Sequence, residues 1–141
     1  MSLDDRDRLE PESRAALRMW LAAHHDKSPG VWLVLDKKVA GASDRRVTLS
    51  DAVEELLCFG WIDSVVRKLD HARYMVMTTP RKPKSVWSGV NRKRVERLIN
   101  QGTMQSPGMA KVVAAKADGS WEALVASDRM EMPDDLRRAF R

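Results

Sequence analysis

The 141-residue chain combines 43% hydrophobic with 32% charged residues, a balance typical of a folded globular protein and not of a disordered one. A chain of this length suits one domain, and its single cysteine excludes an internal disulfide and fits a reducing cytoplasm. The longest apolar runs, GVWLVL and LLCFGWI, are far too short to span a membrane, and the acidic start is not a secretory signal. We therefore expect a cytoplasmic protein.

The net charge of +5 is concentrated in the middle of the chain. Residues 1–63 carry nine basic and twelve acidic side chains, whereas residues 64–118 carry twelve basic and three acidic ones. The last 23 residues carry four basic and five acidic side chains. A basic segment of this kind predicts an anionic partner, but charge alone does not separate a nucleic acid from a small anion.

The first half of the chain predicts a helix, a strand and a second helix. Residues 1–10 form a polar tail, and Pro11 opens a helix whose apolar residues recur at helical spacing. VWLVLDKK predicts a buried strand. Ser50 is the expected N-cap of the next helix, and Gly60 its left-handed end. Because a second strand follows, the two strands form a crossover unit and are expected to run parallel.

The middle of the chain predicts a hairpin followed by a basic helix. Residues 61–79 contain two strand-like runs joined by the tight turn DHAR. The two prolines of PRKPK favour an extended loop. The helix after this loop is expected to have Ser85 or Ser88 as its N-cap.

Two further helices complete the predicted fold. The first has Ser106 as its cap, Pro107 in its first turn and Gly119 as its stop. The second begins near residue 133 and is cut short by the end of the chain. The elements predict a single compact α+β domain over residues 11–141, with a small three-stranded sheet packed against several helices.

The basic helix is predicted over residues 85–101, and its polar side chains are expected to differ in whether they face solvent or the protein interior. On a helical wheel Arg94 falls within the apolar arc, so it needs a partner, and Asp63 is the nearest acidic candidate. One interpretation is a structural Asp63–Arg94 ion pair. The other makes the same residues the floor of an anion site at the helix start, with Arg81 and Lys84 on the preceding loop.

Four segments of the chain carry a family resemblance. They are SPGVWLVLDKK, EELLCFGWIDS, RYMVMTTPRKPKSVWSGVNRKRVERLI and GMAKVVAAKADGSW. In this order they resemble the YdeI/OmpD-associated family, also called bacteriocin-protection proteins, from about residue 16 to residue 124. The resemblance implies a bacterial cytosolic protein linked to envelope stress and to tolerance of antimicrobial peptides. It implies no reaction and no catalytic residues. The family's signature positions here are Trp61, Asp63, Arg73, Thr79, Pro80, Arg81, Trp87, Ser88, Asn91 and Arg94.

Side chains with reactive potential are few in this sequence. Cys58 lies in an apolar helix without a nearby histidine, which predicts a buried and inert thiol. The three histidines lack metal-ligand spacing, and no glycine-rich phosphate loop is present. We therefore predict no catalytic residue, no metal and no cofactor.

The sequence leaves three functions open. The first is a small binding module with a pocket for a small anionic, phosphate-bearing ligand. Its predicted ligand-binding residues are Trp61, Asp63, Arg73, Arg81, Lys84, Trp87, Ser88, Asn91 and Arg94. In this hypothesis the two tryptophans wall the pocket, whereas the alternative places them in the core.

The other two functions use different parts of the same segment. The second is nucleic-acid binding through outward-facing cations. These cations are Arg67, Lys68, Lys82, Arg92, Lys93 and Arg97. The third is an enzyme acting on a small anionic substrate, with Asp63 as base and Arg94 as electrostatic stabiliser. A protein partner is a further alternative.

Overall fold

The computed structural model describes residues 6–38 and 45–124. The elements are β1 (Arg8–Leu9), α1 (Arg14–His24), β2 (Val31–Asp36), α2 (Leu49–Cys58), β3 (Trp61–Lys68), β4 (Arg73–Pro80), α3 (Gly89–Asn100) and α4 (Ser106–Asp118). A 3₁₀ turn at Ser120–Glu122 follows α4. The fold is an α+β domain, as the sequence predicts. The helix predicted to begin near residue 133 lies outside the described residues.

The four strands form one mixed sheet in the order β1-β2-β4-β3. β1 pairs with β2 in parallel, and β4 pairs antiparallel with both β2 and β3. β2 and β3 therefore run parallel, as the crossover through α2 predicts, but β4 lies between them. The predicted hairpin is confirmed, and in its turn the Asp70 carboxylate accepts the N–H groups of Ala72 and Arg73.

The sheet has one strand more than the sequence predicts. β1 lies in the segment interpreted as a polar tail, where its two residues align with Trp32 and Leu33. A strand of two residues is too short for an alternating pattern to be recognised. Glu10, directly after β1, accepts hydrogen bonds from Arg46 and Arg73 and so fastens this edge to the rest of the domain.

Side-chain caps mark the start of α1, α2 and α3. α4 begins after Gln105 without a side-chain cap, so the prediction of Ser106 as its cap was wrong, and Ser106 is the first residue of this helix. Thr48, and not Ser50, is the N-cap of α2, because its hydroxyl accepts the N–H of Asp51. Ser88 caps α3, so this helix begins later than the predicted start at residue 85. Gly60 has a φ of +75° after α2, which confirms the predicted left-handed end.

The main core lies between one face of the sheet and the helices. Leu33 and Val76 of the sheet are buried with Leu17 and Leu21 of α1 and Leu56 of α2. The opposite face carries a smaller buried cluster of Trp32, Val34, Met75 and Met77. The central strands are thus apolar on both faces, which explains why they read as continuous hydrophobic runs. Across the described ranges, no helix is long and apolar enough to cross a membrane.

Candidate functional site: a buried arginine at the end of the hairpin

Arg81 directly follows β4 and is 3% exposed. Its backbone N–H donates to the Gly60 carbonyl at 2.9 Å, which extends the pairing of β3 with β4 by one residue. Its backbone carbonyl accepts from Lys111 Nζ of α4 at 2.7 Å. Arg81 is therefore fixed where the hairpin, the end of α2 and α4 meet.

The guanidinium of Arg81 has donors that no described residue uses. Its Cζ lies 3.6 Å from the ring centroid of Trp87, and Nη2 donates to the Val86 carbonyl at 2.8 Å. Nε and Nη1 are buried and have no hydrogen-bond acceptor among the described residues. Leaving a buried donor without a partner costs about 1–3 kcal/mol, and more for a charged group. A desolvated cation with unused donors is a strong attractor for an anionic acceptor.

The charge of Arg81 is affected by one acidic neighbour. Burial lowers the pKa of the Arg81 guanidinium to about 10, and the negative charge of Asp63 opposes this shift. The group is still cationic at neutral pH. Asp63 lies on β3 opposite Thr78, beside a bulge that separates it from the next paired residue, Val66. No hydrogen bond joins the described side chains of Asp63 and Arg81.

The predicted ion pair between Asp63 and Arg94 does not form. Arg94 Nη1 donates instead to Asn91 Oδ1 at 3.0 Å, within α3. The apolar arc of the helical wheel includes Val90 and Ile99, but these residues are 61% and 38% exposed, so the arc overstates the buried side of the helix and the prediction for Arg94 was wrong. The buried side of α3 is narrower than that arc, so Arg94 lies on its flank.

Two other predicted site residues, Ser88 and Lys84, lie between the end of β4 and the start of α3. The Ser88 hydroxyl accepts the Asn91 N–H as the cap of α3. Lys84 is exposed in the loop between β4 and α3. There it adopts a φ of +65°, which non-glycine residues seldom do.

Arg73 lies at the opposite end of β4 from Arg81. The two are separated by an extended strand, a distance of roughly 25 Å at about 3.3 Å per residue. Arg73 donates to the carboxylates of Asp70 and Glu10, which fix the hairpin turn and the β1 edge. Arg73 and Arg81 therefore do not share a site. They are close in sequence, but the extended strand between them keeps their side chains far apart.

Trp61 and Trp87 belong to the core and do not wall a pocket. Each is 1% exposed. Trp61 Nε1 donates to the His25 carbonyl at 3.1 Å. The Trp87 ring contacts Arg81, and its centroid lies 5.0 Å from that of Trp121. Neither indole has a face exposed to a ligand. Of the two alternatives for these tryptophans, packing in the core therefore describes both.

Sequence reasoning missed a second buried charge, Glu55 of α2. Glu55 is 3% exposed. Its carboxylate accepts hydrogen bonds from Arg14 Nε at 2.6 Å and from Arg18 Nη1 at 2.8 Å. The available signal was the spacing of four residues between these arginines, which places both on one face of α1. Arg18 also donates to the Thr103 carbonyl at 2.8 Å.

The cations proposed for nucleic-acid binding divide into two groups. Arg97 pairs with Glu54, Arg92 donates to the Trp87 carbonyl, and Arg67 lies over the ring of Trp32. The remaining cations are exposed lysines, namely Lys68, Lys82 and Lys93. Half of the predicted basic surface is thus engaged within the protein.

The thiol and acidic groups that the structure describes form no metal site. Burial raises the pKa of the Cys58 thiol, although Arg18 opposes this shift, so the reactive thiolate is disfavoured. Within residues 6–38 and 45–124, no group of three or more His, Cys, Asp or Glu side chains has a metal-binding arrangement.

The fold and this site define a small α+β protein with a buried, incompletely paired arginine at the end of its hairpin. The chain belongs to the family described as Domain of unknown function (DUF8412), whose model matches residues 9–111. This range includes Arg81 and all the other predicted site residues. No curated protein and no solved structure matches the chain. The family description names no activity, so the resemblance to bacteriocin-protection proteins stays a prediction.

Proposed function

We propose that this protein is a small binding module that accepts one small anion at Arg81. The observation that carries the proposal is a guanidinium that is 3% exposed and has two nitrogens without an acceptor among the described residues. Phosphate and carboxylate oxygens are the acceptors that match a guanidinium in geometry and charge. An anion bound here would satisfy donors that otherwise destabilise the fold.

Access to Arg81 requires a local rearrangement, because the side chain is almost fully covered. The loop over residues 82–88 has two features that suit such a movement. Lys84 holds a rarely adopted backbone conformation, and Val86, whose carbonyl accepts from Arg81, has a half-exposed side chain. We propose that opening of this loop admits the anion and that closing completes its desolvation.

The nucleic-acid alternative has less support in the described residues. Three of its six cations bind to other parts of the protein, and Trp87, an aromatic residue in the basic segment, is buried. Binding of single strands commonly depends on exposed aromatic rings that stack on bases. The enzyme alternative loses its predicted pair, because Arg94 does not contact Asp63.

The family resemblance suggests where such a binding module would act. We propose a cytoplasmic protein that contributes to envelope-stress and bacteriocin tolerance by binding a small phosphate- or carboxylate-bearing ligand. This role would depend on Arg81, so a cell carrying Arg81→Met in place of the wild type would lose the protection.

The test is isothermal titration calorimetry with inorganic phosphate, pyrophosphate, acetate and a short oligonucleotide, each at low and high salt. Wild type is compared with Arg81→Met and with the matched control Lys82→Met, which removes an adjacent exposed charge. We expect saturable binding of one small anion, weakened at least about tenfold by Arg81→Met and little by Lys82→Met.

Three results would contradict the proposal. The first is the absence of small-anion binding to the wild type. The second is equal loss of affinity in the two variants, which would show a general charge effect. The third is binding of the oligonucleotide alone, with a steep loss at high salt, which would indicate an outer basic surface.

A further inference from the structure

We infer that Asp63 determines the charge of the ligand, so that the Arg81 site takes a singly charged oxyanion, a carboxylate or a phosphodiester, in preference to a doubly charged one. This inference rests on the proposed function, because it concerns the same site. It narrows the ligand class from any small anion to one of unit charge.

The sheet register places Asp63 and Arg81 at the same end of the hairpin. Asp63 pairs with Thr78, and Gly60 accepts the N–H of Arg81, so the two residues lie three positions apart at this end of β3 and β4. At this separation the negative charge of Asp63 acts on the Arg81 guanidinium and opposes the lowering of its pKa by burial. Asp63 is half-buried, and the described residues provide no hydrogen bond or ion pair to its carboxylate. Its negative charge is therefore not neutralised by a direct partner.

The local charge includes one further cation. Lys111 Nζ donates to the backbone carbonyl of Arg81 at 2.7 Å and keeps its positive charge, whereas Lys84 is exposed to solvent, where its field is screened. Arg81, Lys111 and Asp63 together therefore carry one net positive charge. An oxyanion with one charge matches the guanidinium, whereas a second charge would be placed near Asp63 in a site with little water. Repulsion by one unit charge under these conditions weakens binding roughly tenfold.

The experiment compares two ligands of similar size at pH 8. Dimethyl phosphate carries one negative charge, whereas methyl phosphate carries nearly two, because the second pKa of a phosphate monoester is about 6. Affinity is read from the ¹H–¹⁵N signal of the Arg81 Nε–H group during titration. Acetate is titrated separately. Tighter binding of acetate than of dimethyl phosphate would indicate that the site takes a carboxylate and not a phosphodiester.

We expect wild type to bind dimethyl phosphate about tenfold more tightly than methyl phosphate. Asp63→Asn should reduce this ratio to about twofold, mainly by raising the affinity for methyl phosphate. The matched control Asp70→Asn removes an acid from the turn at the other end of the hairpin, and it should leave the ratio unchanged.

The wild-type ratio tests the inference without any variant having to fold. A wild type that binds methyl phosphate as tightly as dimethyl phosphate would overturn the role of Asp63, while anion binding at Arg81 would stand. An unchanged ratio in a folded Asp63→Asn variant would have the same meaning. A wild type that binds none of the three anions would overturn the proposed function itself, and this inference with it.

Discussion

Glu55 and Arg81 are both buried charges, but their surroundings differ. Each is 3% exposed. Glu55 accepts hydrogen bonds from Arg14 and Arg18, whereas Nε and Nη1 of Arg81 have no acceptor among the described residues. A buried charge is compatible with a stable fold when hydrogen-bond and ion-pair partners compensate for its lost hydration. A buried charge without enough partners lowers the free energy of unfolding. The comparison therefore separates a satisfied structural network from an incompletely paired cation, on which the proposed anion site rests.

The network around Glu55 joins three helices. Besides Glu55, Arg14 of α1 contacts Asp51 and Glu54 on α2. Glu54 in turn pairs with Arg97 of α3. Each carboxylate in this group has at least one guanidinium partner, so the network needs no ligand to be complete.

The largest effect is expected from Glu55→Ala. This substitution leaves Arg14 and Arg18 without their most buried acceptor and should lower the free energy of unfolding by about 3 kcal/mol. The estimate is at the low end for buried pairs because both arginines are partly exposed. Urea unfolding measures it, with Glu96→Ala, an exposed position on α3, as the control. A loss below about 1 kcal/mol would show that Glu55 is not a fold-holding charge.

Arg81→Met should have a smaller effect on stability and is the sharpest test of the contrast. Methionine keeps most of the volume and removes the unsatisfied donors, which offsets the lost contacts with Val86 and Trp87. We expect the free energy of unfolding to stay within about 1 kcal/mol of the wild type, by the same urea measurement. A loss above about 2 kcal/mol would instead make Arg81 a structural residue like Glu55.

The smallest effect is expected at the exposed turn of the hairpin. Hydrogen bonds from Arg73 and from the backbone of Ala72 lower the pKa of Asp70 to about 2. A lowered carboxyl pKa contributes stability above its ordinary value near 3.8, and this stability is lost as the pH falls toward 2. The drop in Tm between pH 5 and pH 2.5 should therefore be smaller in Asp70→Asn than in the wild type.

The control for this acid effect is Asp26→Asn. Asp26 is exposed and makes no hydrogen bond with the residues that the structure describes. An equal reduction of the Tm drop in both variants would show that overall charge, and not the Asp70–Arg73 pair, governs the acid response. It would also mean that exposed pairs contribute little compared with the buried charges.

Much of the fold could be predicted from local patterns. The hairpin followed from two strand-like runs around a polar turn, and the parallel direction of β2 and β3 followed from the crossover through α2. β1 escaped prediction because two residues carry no periodicity. Thr48 rather than Ser50 became the cap of α2, since capping depends on which residue leaves helical geometry first.

The candidate site could be predicted only in part. Arg81 was among the predicted anion-binding residues, but so were Arg73 and Arg94, which lie elsewhere and have their own partners. The basic composition of the segment did not distinguish these three arginines. Their exposure and hydrogen-bond partners do, and these depend on residues far away along the chain.

The sequence by itself determined the α+β class, the hairpin and the basic character of the middle segment, because periodicity, turn chemistry and charge are properties of neighbouring residues. Only the tertiary structure decided which cation is buried. The environment of Arg81 is assembled from Gly60 after α2, Trp87 before α3 and Lys111 on α4. Packing brings these distant segments together, and it thereby leaves two guanidinium nitrogens away from water and without an acceptor among the described residues.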